Sequence, residues 1–327
     1  MATIKEIAEK VGVSSAAVSR VLNYDENISV SEEKRKAIFK AAEELGYKKK
    51  IVYPKIENVA LLYWVTQEEE LEDIYYQTLY TELLSYAKKV NVHIHVVTKE
   101  QGIKSVRNDL TAFIAIGWFS RKELDALYKK CKKGVFINTS PDEKLFDAVR
   151  PNFDSFVTQM VDYFVEKKHK SIGFVGMYDK DINTGENVMD VREWSFRQSM
   201  LYYNLLDEKN IYITNHTAVE EGLNIGRLII SKGNIPTAFV VASDTLAVGL
   251  LQAFNEQGIR IPEDVAIFSI NDVSVARYVS PPLTSFHIDI PTICDSVISL
   301  LREQVVRKRK VTKTIMINGT PHFRSSC

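Results

Sequence analysis

The side chains with the most directional chemistry in this sequence gather near its start. The run Val13-Ser14-Ser15-Ala16-Ala17-Val18-Ser19-Arg20-Val21-Leu22-Asn23 sets hydroxyls, small alanines and a single arginine side by side. An arginine fork can bridge O6 and N7 of a guanine, an alanine can pack on a thymine methyl, and hydroxyls can hold phosphate oxygens. Such a surface suits a groove of double-stranded DNA. On spacing alone the alternative is the end of a helical bundle in a larger fold, because amphipathic helices are common.

Other chemistry is less well provided for. His169, His216 and His287 have no serine, cysteine or carboxylate pair in a catalytic arrangement, and they read as solvated or core histidines. Cys131, Cys294 and Cys327 form no close pair and have no histidine at metal-ligand spacing, which argues against a disulfide framework or a zinc site. No glycine-rich phosphate fingerprint follows any strand-like run. The expectation is therefore a binding protein with no catalytic residues, no metal and no cofactor.

At 327 residues the chain exceeds what one core usually supports, so two or more domains are expected. Lys plus Arg and Asp plus Glu balance at 42 each, so any contact with a polyanion must be local. The N-terminus has no apolar leader, and no run approaches the ~18 apolar residues of a membrane span. A reduced, cytoplasmic setting is expected.

The elements that must carry the first run are legible. Thr3 and Glu6 form a capping box, so a helix starts there, with Ile4, Ile7, Ala8 and Val11 on one face and Gly12 at its end. Ser14 caps a second helix to about Leu22, with Val18, Val21 and Leu22 inward and Ser15, Ala16, Ser19 and Arg20 outward. Ser31 caps a third, whose Ala37, Ile38, Ala41, Ala42 and Leu45 close a small core before Gly46. The first two helices make a helix-turn-helix. The charged, proline-broken segment Tyr47 to Lys55 marks a boundary, and its lysines either neutralise phosphates or are solvated.

From Val59 short apolar runs alternate with amphipathic helices. Strands are predicted at 59–65, 92–97, 112–117 and 134–138, and the pattern restarts with strands at 171–176, 211–214, 238–242 and 265–270. Helices are predicted around 79–89, 120–130, 192–206, 220–231 and 246–257. This alternation specifies two doubly wound halves with parallel sheets, and a ligand cleft where their strand C-termini face each other. The basic run Arg307-Lys308-Arg309-Lys310 reads as the exposed end of a helix that starts near Pro291.

The strings Thr3-Ile4-Lys5-Glu6-Ile7-Ala8, Val11-Gly12-Val13-Ser14, Ala17-Val18-Ser19-Arg20-Val21-Leu22-Asn23 and Ala41-Ala42-Glu43-Glu44-Leu45-Gly46-Tyr47 closely resemble the head-piece of the lactose-repressor/galactose-repressor family of bacterial regulators. The resemblance continues through Arg192 with Ser195-Phe196, Ala242-Ser243-Asp244, Ile270-Asn271-Asp272, Ser280-Pro281-Pro282-Leu283-Thr284 and Phe323-Arg324-Ser325-Ser326, to the family's periplasmic-sugar-binding-like effector domain. It implies a small all-α helix-turn-helix head-piece over 1–49 and a linker over 50–58. After these comes an α/β periplasmic-binding-protein-like domain of two doubly wound parallel-sheet halves over 59–327. That last domain binds effector and dimerises, and its subdomains are expected at 59–153 with 286–308 and at 154–285 with 309–327.

In the family the second helix enters the major groove, which carries over to Ser15, Ala16 and Arg20 as base contacts. Ser14, Ser19 and Asn23 are expected on phosphates, with Thr3 a further DNA contact. The family's linker usually forms a hinge helix that wedges a leucine into the minor groove. Here it is shorter and lacks the Ala-Arg-x-Leu-type pattern, with Ile51 and Val52 the apolar residues at that place.

For the effector the resemblance implies Arg192, Ser243, Asn271 and Asp272, although the family often has Gly at the place of Ser195 and commonly Asn or Asp at those of Ser243 and Asn271. Sugars are held by planar polar groups that bond paired hydroxyls and by an aromatic face against the apolar side of the ring. Asn138 adds to the first set, and Trp64, Tyr75, Tyr76 and Phe153 can supply the second, with core packing the alternative for each aromatic. The expected partners are double-stranded operator DNA, a small sugar and a second copy of the chain. No leucine-heptad tail follows Ser326, so a dimer rather than a tetramer is expected. Residues 269–273 and 276–278 look closest to the branch that represses an evolved β-galactosidase, which makes a galactoside the expected effector. A purine or protein co-repressor, or an enzyme carrying a DNA tether, are the alternatives.

Overall fold

Two reciprocal hydrogen bonds open the first helix. The Thr3 hydroxyl accepts the Glu6 N–H at 3.2 Å, and the Glu6 carboxylate accepts the Thr3 N–H at 2.7 Å, so α1 (Ile4–Val11) starts at the expected capping box. Ser14 accepts the Ala17 N–H at 3.1 Å where α2 (Ser15–Leu22) begins, and Ser31 caps α3 (Glu32–Glu44). The computed structural model describes residues 2–22, 28–47, 55–66 and 74–327. The chain divides into two units, Met1–Pro54 and Lys55–Cys327. Asn23 and the linker residues Ile51 and Val52 lie outside the described residues.

The core of the first unit is Ile7, Val18, Val21 and Ile38, each fully buried, with Ala8, Ala41 and Ala42. Two residues expected there are solvent-facing: Ala37 is off the inward stripe of α3, and Leu45 is its C-cap. Gly46, at φ 62°, turns the chain so that Tyr47 donates its N–H back to Ala42 at 2.8 Å and packs on the core together with Phe39.

The second unit begins earlier than expected. Strand β1 (Ile56–Trp64) takes in the last residues of the predicted linker, because Ile56 is buried and pairs with Val92, the ladder being irregular up to Val59 with Asn58 at φ 55°. There follow α4 (Ile74–Lys89), β2 (Val92–Thr98), β3 (Ala112–Gly117), α5 (Arg121–Lys130), β4 (Gly134–Ile137) and β5 (Asp147–Pro151). The second half holds α6 (Phe153–Glu166), β6 (Ile172–Met177), a short ribbon of β7 (Asp179–Lys180) and β8 (Asn187–Val188), α7 (Val191–Tyr202), β9 (Ile211–Thr214) and α8 (Val219–Lys232). It continues with β10 (Ala238–Val241), α9 (Asp244–Glu256), β11 (Ala266–Asn271) and β12 (Thr284–His287). The chain returns as α10 (Ile290–Val305) and β13 (Thr314–Ile317), then crosses again as β14 (Thr320–His322).

The first sheet has six parallel strands in the order β13-β5-β4-β3-β1-β2. The second runs β14-β12-β11-β10-β6-β9 and is parallel except for β14. This corrects the expected subdomain limits. Residues up to His287 stay in the second sheet as partner of β11, and β13 belongs to the first sheet, with Thr314 opposite Ala148 and Ile317 opposite Pro151. The physical reason is that β5 would otherwise be an edge with unpaired backbone groups.

Arg309 follows the same logic. Rather than lying on an exposed helix end, it binds the buried Asp147 carboxylate and Glu303 at 2.9 Å, which folds the chain onto β5. Among the described residues no helix is long and apolar enough to cross a membrane.

Helices α8 and α9 cross with their backbones nearly touching. A Cβ built on Gly249 would lie 2.0 Å from the Val219 carbonyl oxygen, and one on Gly222 would lie 2.1 Å from that of Leu246. Gly249→Ala must force the helices apart and is expected to cost about 1–3 kcal/mol of stability, read from urea unfolding midpoints. An unchanged midpoint would show that the crossing can widen freely.

Candidate functional site

The C-terminal ends of β1, β3 and β4 in the first half, and of β6, β10 and β11 in the second, open into one cavity of about 780 Å³. That is a size suited to a small organic ligand. Of the residues expected to meet an effector, Trp64, Tyr75, Tyr76, Asn138, Phe153, Arg192, Ser243 and Asn271 line it. Asp272 does not.

Arg192 anchors the second half's side of the cavity. Asp190 caps α7 by accepting the Arg192 N–H at 2.8 Å, and the same carboxylate is held by Arg192 Nε at 2.7 Å and Nη2 at 2.9 Å. Arg192 Nη1 donates to the Ala242 carbonyl at 3.1 Å, and the guanidinium lies 4.7 Å from the centre of the Phe153 ring. Burial works against both charges, but their mutual attraction outweighs it, raising the Arg192 pKa and holding the Asp190 carboxyl below its usual range. A guanidinium has five N–H groups, so this pairing leaves donors for a ligand hydroxyl.

On the first half, Asn138 sits just past β4 at φ 68°, and its side-chain oxygen accepts the Tyr75 hydroxyl at 2.8 Å. Asn271 at the end of β11 is also left-handed, with φ 113°. Non-glycine residues hold such conformations where the surroundings enforce them, which here is beside the cavity.

Three expected contacts have other employment. Trp64 is 1% exposed, stacks on Phe119 at 4.8 Å and donates its indole N–H to Glu123 at 2.8 Å, so it belongs chiefly to the core of the first half. Ser243 is the N-cap of α9, accepting the Leu246 N–H at 3.3 Å. Asp244 is instead buried at the first helical position, where it accepts the hydroxyls of Ser269 at 2.5 Å and Ser285 at 2.6 Å and the Val273 N–H at 2.7 Å. Burial pushes its carboxyl up to about 7 in spite of those bonds.

Asp272 is the third. Its side chain is fully buried, with Arg324 on Oδ1, and His287 Nδ1 and His322 Nδ1 at 3.1 Å and 2.7 Å from Oδ2. The two imidazoles stack at 4.9 Å, and Arg277 approaches to 3.6 Å. His287 is thus neither simply solvated nor core. Among the described residues this is the group whose ligand atoms converge closely enough for a metal ion, but two guanidinium groups already neutralise the carboxylate, which makes it a salt-bridged hub.

The cavity also takes Trp118, Asp179, Lys180, Asn187, Asp190 and His216, none of which was expected there. Asp190 was the detectable one, since an aspartate just ahead of a helix is an N-cap signature. In the first unit, Ser15, Ala16 and Arg20 are exposed along α2 and Ser19 is half-buried between them, while Val18 and Val21 face inward. Thr3 and Ser14 are exposed at the two helix starts, each serving as a cap.

Residues 3–50 match the family described as bacterial regulatory proteins, lacI family, and residues 161–327 match the periplasmic binding protein-like domain. The HTH-type transcriptional regulator GanR of Bacillus subtilis (strain 168) is 45% identical, covering 100% of this chain and 99% of the relative. The chain belongs to the lacI family of bacterial regulatory proteins. This lacI-family regulator is also 35% identical to the HTH-type transcriptional regulator LacR of Lactobacillus helveticus, over 100% of this chain and 98% of the relative. A solved complex of the transcriptional regulator CelR with cellobiose shares the fold, with a TM-score of 0.71, 20% identity and full coverage of both chains. The relatives are transcriptional regulators, in keeping with the reading of this chain as a DNA-binding regulator rather than an enzyme.

The Asp244 carboxyl gives this regulator a pH signature. Its folded-state value lies above that of an unfolded aspartate, so the native state holds the proton more tightly. Stability therefore falls as pH rises from roughly 4 to 7, then levels. Asp244→Asn removes that titration, and urea unfolding at pH 5 and pH 8 is expected to show a smaller loss in the variant than in the wild type. Equal losses would remove Asp244 as the cause.

Proposed function

We propose that this chain is a dimeric transcriptional repressor whose operator affinity is controlled by a small sugar, a galactoside, held in the cavity between the halves of its large domain. The observation that carries the reading is the Arg192–Asp190 pair, a fixed fork of donors beside Phe153 in a cavity that also holds Asn138 and Asn271. Planar polar groups beside an aromatic face match the hydroxyls and the C–H patch of a sugar ring. The CelR–cellobiose complex supports a saccharide as the class of ligand. The choice of a galactoside rests on the likeness of residues 269–273 and 276–278 to a β-galactosidase repressor.

On the DNA side, Arg20 reads a guanine, Ser15 and Ala16 lie close to base edges, and Thr3, Ser14, Ser19 and Asn23 hold the backbone. One small head-piece contacts too few bases for specific binding, so two copies read a near-palindrome. The halves of the large domain interconvert between two orientations. A sugar that binds one of them more tightly by a few kcal/mol is enough to change operator occupancy.

Two measurements test this. Arg20→Ala is expected to weaken operator binding by about 1–3 kcal/mol and to relax specificity at one base pair, in footprints on DNA upstream of the gene. Arg192→Lys keeps the charge but loses the fork, and calorimetry with galactose and lactose should show at least tenfold weaker binding, with operator affinity in the absence of sugar unaltered. If neither sugar binds the wild type or alters the footprint, the galactoside assignment is wrong.

A further inference from the structure

The ribbon of β7 and β8 belongs to the second half by sequence, yet its tip is bound to the first. Its base is tied to the second sheet, with the Tyr178 N–H on the Thr214 carbonyl at 3.0 Å and the Asn187 amide on the Asn215 side chain at 3.1 Å. Its turn is held from within. The Asp181 carboxylate accepts the N–H groups of Asn183 at 2.8 Å and Thr184 at 2.9 Å, and Gly185, at φ 75°, closes the loop by donating to the Asp181 carbonyl at 2.8 Å. Those backbone donors hold the Asp181 carboxyl below its usual range.

The preformed tip then meets α5. Ile182 packs against the core that contains Phe119, Leu124 and Phe136, and its carbonyl accepts the Arg121 N–H at 2.7 Å. The Lys180 carbonyl accepts the Trp118 indole N–H at 3.0 Å, and Asn183 accepts Arg121 Nε at 3.4 Å. Arg121 is the first residue of α5, so its N–H is one of those that a helix cannot satisfy by itself. Its acceptor comes from the opposite half. Meanwhile Asp179, Lys180 and Asn187, on the two strands of the same ribbon, face the cavity.

We propose that this ribbon is an effector-reading latch. Its strands supply a carboxylate, an ammonium and an amide to the effector site, while its tip locks the two halves together by satisfying α5 and packing the partly buried Ile182 against the first half's core. Ligand hydroxyls bound by Asp179 and Asn187 hold the ribbon in place, and parting the halves must strip the Arg121 N–H of its partner and wet Ile182. The ribbon thereby sets how fast ligand leaves. This rests on the proposal that the cavity takes a sugar.

Ile182 lies outside the cavity lining and can be changed without touching the ligand. In the full-length protein, Ile182→Asp is compared with the conservative Ile182→Val. Hydrogen exchange of peptides spanning Arg121 is expected to be slow in the wild type and in Ile182→Val and at least tenfold faster in Ile182→Asp, with exchange in the two central sheets unchanged as proof of folding. Lactose release, followed by stopped flow, is expected to accelerate by a similar factor. Exchange at Arg121 that is equally fast in wild type and Ile182→Asp, or release that does not respond once Arg121 is freed, overturns the latch. Failure of both lactose and galactose to bind the wild type overturns the galactoside assignment instead, and the exchange at Arg121 still decides whether the latch closes.

Discussion

The large domain turns on the buried carboxylate of Asp272. It lies just after β11 of the second sheet, and it holds His287 at the end of β12, just before the chain crosses to α10, and His322 at the end of β14, just after the chain has crossed back. Burial alone would drive this carboxyl towards its neutral form, but bonds from Arg324 and His322 keep it below its usual range. A charge so placed is tolerable only while its partners are present, because removing one leaves it uncompensated in a dry setting. The hub therefore ties together the place where the chain leaves the second sheet after β12 and the place where it returns as β14.

From that hub the site follows by geometry. Parallel strands deliver all their C-terminal ends to one side, so the two sheets present loops and helix starts to a shared cavity. The division of labour is unequal. The second half contributes the charged fork of Arg192 on Asp190, and the first contributes the rings of Tyr75, Tyr76 and Trp118 together with the amide of Asn138. The cavity is therefore lined from both halves, with charge on one side and rings on the other.

The aromatic residues illustrate how closely the site borders the core. Phe153 lies under Arg192 and also meets Phe156 edge-on at 5.9 Å, while Phe156 stacks at 4.8 Å on Phe286, a residue of the hub strand β12. A shift at the cavity wall is thus felt in packed rings rather than absorbed by solvent, and close-packed interiors pass such displacements on.

Much of this was legible in the residues alone. The capping box of Thr3 and Glu6, the Ser14 cap, the inward Val18 and Val21 and the apolar runs of the central strands depend on interactions that span a few positions, or on periodic burial. These are local, so the sequence carries them directly. Family likeness then singled out Arg192 and Asn271, though not Asp190, whose value lies in facing Arg192. What the tertiary structure decided was every pairing across a long separation: β13 on β5, Asp272 with His287, His322 and Arg324, Trp64 turned to Glu123, and the ribbon tip on α5. Such contacts are set by how often the chain crosses between halves. Residue spacing says little about that, because a burial pattern specifies which face is inward but not which distant element covers it.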